Sequence, residues 1–182
     1  EFFLVGYGWS LRGADLTGTD LSNVNLYGVM DSSLLGCPAA LPANWQCLDR
    51  GEAQFALVGP NGVWENADLS GIDLTGVDIS GIVLRNVDLS GANLAGLDLT
   101  TTEFDGAKLV GADLSGANLS GLDLGGLDLT GADLTGANLT GTDLIDATLT
   151  GVKSSSVIAP DGCVSHFNNS PSNRALLLGD NS

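Results

Sequence analysis

The sequence predicts an all-β solenoid in which the chain turns at every fifth residue. Three observations predict it. An aliphatic or aromatic residue recurs every five positions from Leu69 to Leu149 without a miss. Gly supplies 26 of 182 residues and, with Asp and Asn, falls between these centres, where tight turns need it. Hydrophobic residues make up 43% of the chain but aromatics only 5%, so a core can be buried and must be aliphatic.

The centres are Leu69, Leu74, Ile79, Leu84, Leu89, Leu94, Leu99, Phe104, Leu109, Leu114, Leu119, Leu124, Leu129, Leu134, Leu139, Leu144 and Leu149. Two residues before each stands a small or aliphatic side chain, as at Ala67, Ile72, Val77 and Leu97; Thr102 and Thr142 are the compact exceptions. Asp or Asn usually lies between the two, Ser or Thr usually follows the centre, and then usually Gly. A period of five matches neither a helix, with 3.6 residues per turn, nor a flat strand, with two. A helix would scatter these centres around every face, and a strand would alternate them. A chain that turns at each repeat points every centre inward, and its backbone groups pair between coils about 4.8 Å apart.

A shorter block has centres Leu11, Leu16, Leu21 and Leu26. The 43 residues from Leu26 to Leu69 are not a multiple of five, so the register breaks between the blocks. Cys37, Pro38, Pro42, Trp45, Cys47 and Pro60 mark turns and loops there. This segment is expected to continue the stack in part and to bulge around 36–50, with Pro42 and Trp45 packing the loop onto the side. Phe2-Phe3-Leu4-Val5-Gly6 resembles Phe55-Ala56-Leu57-Val58-Gly59, and Gly28–Ser33 resembles Gly151–Ser156. The chain thus reads as a module of entry strand, repeat run, Ser-rich exit and Cys/Pro loop, a segment or mature product of a longer protein. Ala175–Leu178 in the repeat-free tail is expected to cap an open end that would otherwise expose strand edges.

The strings Ala-Asp-Leu-Ser-Gly at 112–116 and Ala-Asp-Leu-Thr-Gly at 132–136 resemble the signature of the pentapeptide repeat family. The resemblance covers 67–151 without interruption and 9–28 as a shorter block. It implies a right-handed quadrilateral β-helix with four repeats, about 20 residues, per coil. The expected organisation is an entry strand and first coil over 1–28, an inter-block segment with a loop over 29–66, a continuous β-helix over 67–153, and a cap or tail over 154–182. At that spacing the outward residues form four columns. They are Asp68, Asp88, Lys108, Asp128 and Thr148; Asp73, Asn93, Asp113 and Asp133; Asp78, Asp98, Asn118 and Asn138; and Val83, Glu103, Asp123 and Asp143. Stacked carboxylates repel, so added salt is expected to stabilise the fold.

Net charge is −16, from 22 acids and 6 bases, which opposes direct nucleic-acid binding and contact with anionic membranes. No apolar run reaches transmembrane length, and no basic stretch precedes an apolar one as in a signal peptide. Cys37 and Cys47 are a candidate disulfide across a short loop; the alternative is that they and Cys163 are small buried thiols. No nucleophile-elbow, phosphate-loop or zinc-binding string occurs, and His166, the one histidine, has no motif around it. The reading is therefore a non-enzymatic structural or protein-interaction scaffold with no catalytic residues, cofactor or metal site. Its protein partner is unspecified, and homo-oligomers could form end to end or through C-terminal contacts. Few lysines, the acidic surface and the loop cysteines favour secretion or the cell envelope over the cytoplasm. The resemblance also implies an alternative, a DNA mimic of the quinolone-resistance type that binds a type II topoisomerase. End-to-end filaments are a third reading.

Overall fold

The computed structural model describes residues 9–30, 33–51 and 53–158. In chain order its strands are β1 (Trp9–Ser10), β2 (Val29–Met30), β3 (Gln46–Gly51), β4 (Gln54–Val58), β5 (Val63–Glu65) and β6 (Val83–Arg85). β1, β2, β5 and β6 make one parallel sheet in that order, and β3 pairs with β4 antiparallel. Beyond them the ladder is made of single-residue bridges. Asp68 pairs with Asp88, Asp88 with Lys108, Lys108 with Asp128 and Asp128 with Thr148, each step 20 residues. Four five-residue sides thus complete each coil, and the fold is a right-handed quadrilateral β-helix.

Each side follows from its repeat. Every centre from Leu69 to Leu149 is buried, and so is every residue two positions before a centre. Together they fill the square section from within; Leu89, Leu94, Leu99 and Leu114 have no exposed surface. Burying one such leucine contributes roughly 1.5–3 kcal/mol. The corner comes two residues after the centre, where the backbone takes a left-handed conformation. Gly91 sits there at φ 67°; where Gly is replaced, Asn86 at 53° and Asp146 at 60° hold the same shape. These residue types tolerate positive φ because glycine lacks a Cβ and the short polar chains bond locally.

The inter-block segment carries a second coil and a hairpin. Asp15 pairs with Gly36 and Asp20 with Ala40, so 36–40 stacks beneath the first coil. A side chain at Gly36 would collide with Asp15 and Thr17. The excursion begins later than expected from the prolines, at Gln46, and is the β3–β4 hairpin. Met30 then pairs with Val63, which returns the chain to the stack. Alternate side chains of β4 face two different cores. Phe55 and Leu57 pack with Leu26, Val29 and Leu34, while Ala56 and Val58 join the main core with Trp64. The hairpin therefore partitions the interior, and this is the physical origin of the register break. Trp45 packs against the first core, and its ring occupies the space a side chain at Gly59 would need. Cys37 and Cys47 are disulfide-bonded, with Cα atoms 5.9 Å apart, and the bond ties the second coil to β3.

Ladder pairing continues past 153 to Ile158, which bridges Asn138. The serines at 154–156 form one more corner, with Ser156 at φ 59°. The segment Phe2–Gly6, Cys163, His166 and Ala175–Leu178 lie outside the described residues.

Candidate interaction surface

The outward columns are built by the turns themselves. Oδ1 of the Asp or Asn before each centre accepts a hydrogen bond from the amide two residues on. Ser70 donates to Asp68 at 3.0 Å, Ser90 to Asp88 at 3.0 Å, Ser115 to Asp113 at 2.9 Å and Thr140 to Asn138 at 3.1 Å. This is an Asx turn, which closes the corner and fixes the side chain that closes it. The sequence assigns Asp and Asn to the tight turns and also sets them in a repelling ladder; that Oδ1 of the column acid itself closes the turn is seen in the structure. One signal of that role is present: Asp and Asn interchange freely there, and both carry the Oδ1 acceptor.

These bonds favour the ionised form. Ser90, through its hydroxyl and amide, and then Lys108 hold the Asp88 carboxyl at about 2. Asp68, Asp73, Asp128 and Asp133 are also lowered, chiefly by the Ser or Thr two residues on. Between coils the columns are stitched rather than purely repulsive. Lys108 Nζ lies 3.0 Å from Asp88 Oδ2, and Lys153 Nζ 3.1 Å from Asp133 Oδ2. Asn138 Nδ2 donates to Asn118 Oδ1 at 3.1 Å, and Asn118 Nδ2 to Asp98 Oδ1 at 3.4 Å. Beside the fourth column Arg85 reaches that column's Glu103 at 2.8 Å, and also Glu65 at 3.5 Å and Asp105 at 3.7 Å. All these pairs are exposed enough that each adds little stability. Their effect is to set which carboxylates stay free.

One corner departs from the rest. At the corner position, every residue from 71 to 156 at five-residue spacing has positive φ except Thr101. A β-branched residue resists that conformation. Around Thr101 the ladder opens. Among the described residues no bridge or backbone hydrogen bond joins Asp78 to Asp98, or Glu103 to Asp123, whereas Asp98–Asn118 and Asn118–Asn138 are paired. A cleft of about 360 Å³ lies there, lined by Val77–Ser80, Leu97, Asp98, Thr100 and Thr101. Gly81 donates its amide to the Thr101 hydroxyl at 2.9 Å, where Gly91 and Gly121 use main-chain carbonyls. Among the described residues no cluster of His, Cys, Asp or Glu could hold a metal, and no helix is long and apolar enough to cross a membrane.

The family profile described as pentapeptide repeats matches residues 10–30, 63–91, 82–121 and 112–151, with eight copies, and the chain belongs to that family. No curated protein matches it. Among solved structures it is similar to a pentapeptide repeat protein of the Arabidopsis thaliana thylakoid lumen. That match has 32% identity and a TM-score of 0.28, over 52% of this chain and 60% of that one. It is also similar to HetL, a protein involved in heterocyst differentiation regulation in the cyanobacterium Nostoc sp. strain PCC 7120. There identity is 29% and the TM-score 0.34, over 84% of this chain and 65% of that one. QnrB1, a plasmid-mediated fluoroquinolone resistance protein, matches at 19% identity and a TM-score of 0.41, over 93% and 82% of the two chains. The chain thus spans less than two thirds of the length of the first two.

Proposed function

We propose that this chain is a non-enzymatic protein-interaction module, an acidic rod that presents pre-ordered carboxylates to a basic protein surface. The carrying observation is the Asx turn. It ties Oδ1 of each column acid to its own corner and leaves Oδ2 outward wherever no Lys, Arg or Asn claims it. Such groups lose little side-chain freedom when a partner binds. The described repeats pack a solid aliphatic core and carry their acids on the outer faces, in keeping with a family of structural and interaction modules. The Cys37–Cys47 bond supports an oxidising compartment.

The test separates charge from structure. Asp73 and Asp113 are changed together to Asn, which keeps the turn bond as Asn93 does in the same column. Affinity capture is then compared between the variant and the wild type. A partner lost by the variant supports the reading, and identical captures count against it. The acidic columns also favour the DNA-mimic reading, and a gyrase supercoiling assay decides that case: inhibition supports it, and unchanged supercoiling removes it. Mass in solution at several concentrations tests end-to-end filaments.

A further inference from the structure

The Thr101 corner coincides with a buried polar group that has no partner. Thr102 is 4% exposed, and its hydroxyl makes no hydrogen bond. Thr142 stands in the same column two coils on, 5% exposed, and its hydroxyl donates to the carbonyl of Leu119 at 2.7 Å. The residue equivalent to Leu119 for Thr102 is Ile79, 23 positions earlier in each case. Ile79 lines the cleft. The ladder bonds missing beside it are those from the Ile79 amide to the Asp98 carbonyl and from the Asp98 amide to the Val77 carbonyl. Their counterparts one coil on, Leu99 to Asn118 at 2.9 Å and Asn118 to Leu97 at 2.8 Å, are both made. Hydrogen bonds in this fold run along the stack, so the unpaired groups face into the gap between the third coil (63–82) and the fourth (83–102).

We propose that residues 97–104 form a conformational latch, held open by Thr101, whose closed position restores three hydrogen bonds. These are the two ladder bonds between 77–79 and Asp98, and the bond from the Thr102 hydroxyl to the Ile79 carbonyl. Closure requires the left-handed corner that every other corner residue from 71 to 156 adopts. Neighbouring residues reinforce the open position. Leu97 occupies an inward place filled by Ala117 and Ala137 further along, and Phe104 is bulkier than Leu84 and Leu124 in its column. The latch interrupts the ladder at Asp78–Asp98 and Glu103–Asp123, while the Asp68–Asp88–Lys108 and Asp73–Asn93–Asp113 columns stay paired across it, and a solenoid yields where neighbouring coils are least coupled.

Amide hydrogen exchange followed residue by residue by NMR tests the latch on the intact chain. In the wild type the Ile79 and Asp98 amides should exchange at least about tenfold faster than Leu99 and Asn118. Thr101→Gly should slow both to the level of those controls. Thr101→Asn is the second variant, chosen to copy the corner that Asn86 makes, and is read in place of Thr101→Gly should that chain not fold. Wild-type protection of Ile79 and Asp98 equal to the controls overturns the proposal. Rapid exchange that a folded Thr101 variant leaves unchanged overturns it equally.

Discussion

Lys108 reaches back one full coil to place its ammonium 3.0 Å from the carboxylate of Asp88, whose other oxygen caps its own turn at Ser90. One acid therefore serves both the corner and the stack. Its carboxyl lies at about 2 in the fold against an ordinary 3.8. A lowered folded value adds stability that is fully present above the unfolded value and is lost as pH falls through the folded one. Asp68, Asp73, Asp128 and Asp133 shift in the same direction. The melting temperature should therefore hold from pH 7 to about 4.5 and fall between about pH 4 and 2. Thermal scans across that range check this, and a flat profile would refute it.

The turn bond itself can be isolated at Asp113, whose Oδ1 accepts the Ser115 amide at 2.9 Å. Asp113→Asn keeps the acceptor and should leave melting nearly unchanged. Asp113→Ala removes it and should lower the melting temperature by about 2–4 °C, the effect of one hydrogen bond in a chain of this size. Equal effects of the two substitutions would mean that charge, not capping, matters there.

Leu114 is fully buried in the middle of the stack. Leu114→Asp places an unpaired carboxylate among aliphatic side chains and should unfold the rod, since a buried charge without a partner is among the costliest changes. A native far-UV circular dichroism spectrum with unchanged melting would show that the position is not inward.

Free acids outnumber the bases that stitch them, so residual repulsion should remain at net charge −16. Added NaCl should raise the melting temperature by screening it. A fall on adding salt would mean that the Lys108, Lys153 and Arg85 pairs outweigh the repulsion.

Reducing the Cys37–Cys47 bond should loosen the hairpin without melting the long stack, because a solenoid is stabilised coil by coil. Limited proteolysis under reducing conditions should cut within 36–58 and leave a resistant fragment beginning near Val63. Uniform degradation would show that the two cores unfold as one.

The inward ladder, the five-residue side and the outward columns were all legible in the sequence. Each depends only on residues within one repeat and on the identity of neighbours one coil away. The partition by β4 was not legible. Phe55–Val58 reads as a short apolar run, and only the folded chain decides that its alternate side chains serve two cores. Nor does repetition reveal that Asp88 and Asp113 close their own turns, because a carboxylate at a regular outward position looks the same whether or not an amide points at it. Thr101 stands where most repeats have Gly, as Asn86 and Asp146 also do, and its particular consequence depended on packing. The gap at Asp98, the cleft and the orphan hydroxyl of Thr102 appear only when the third and fourth coils lie against each other. Local repetition determined the rod, and contacts between coils decided where it is sealed and where it opens, because the ladder bonds of a solenoid join residues about a coil apart.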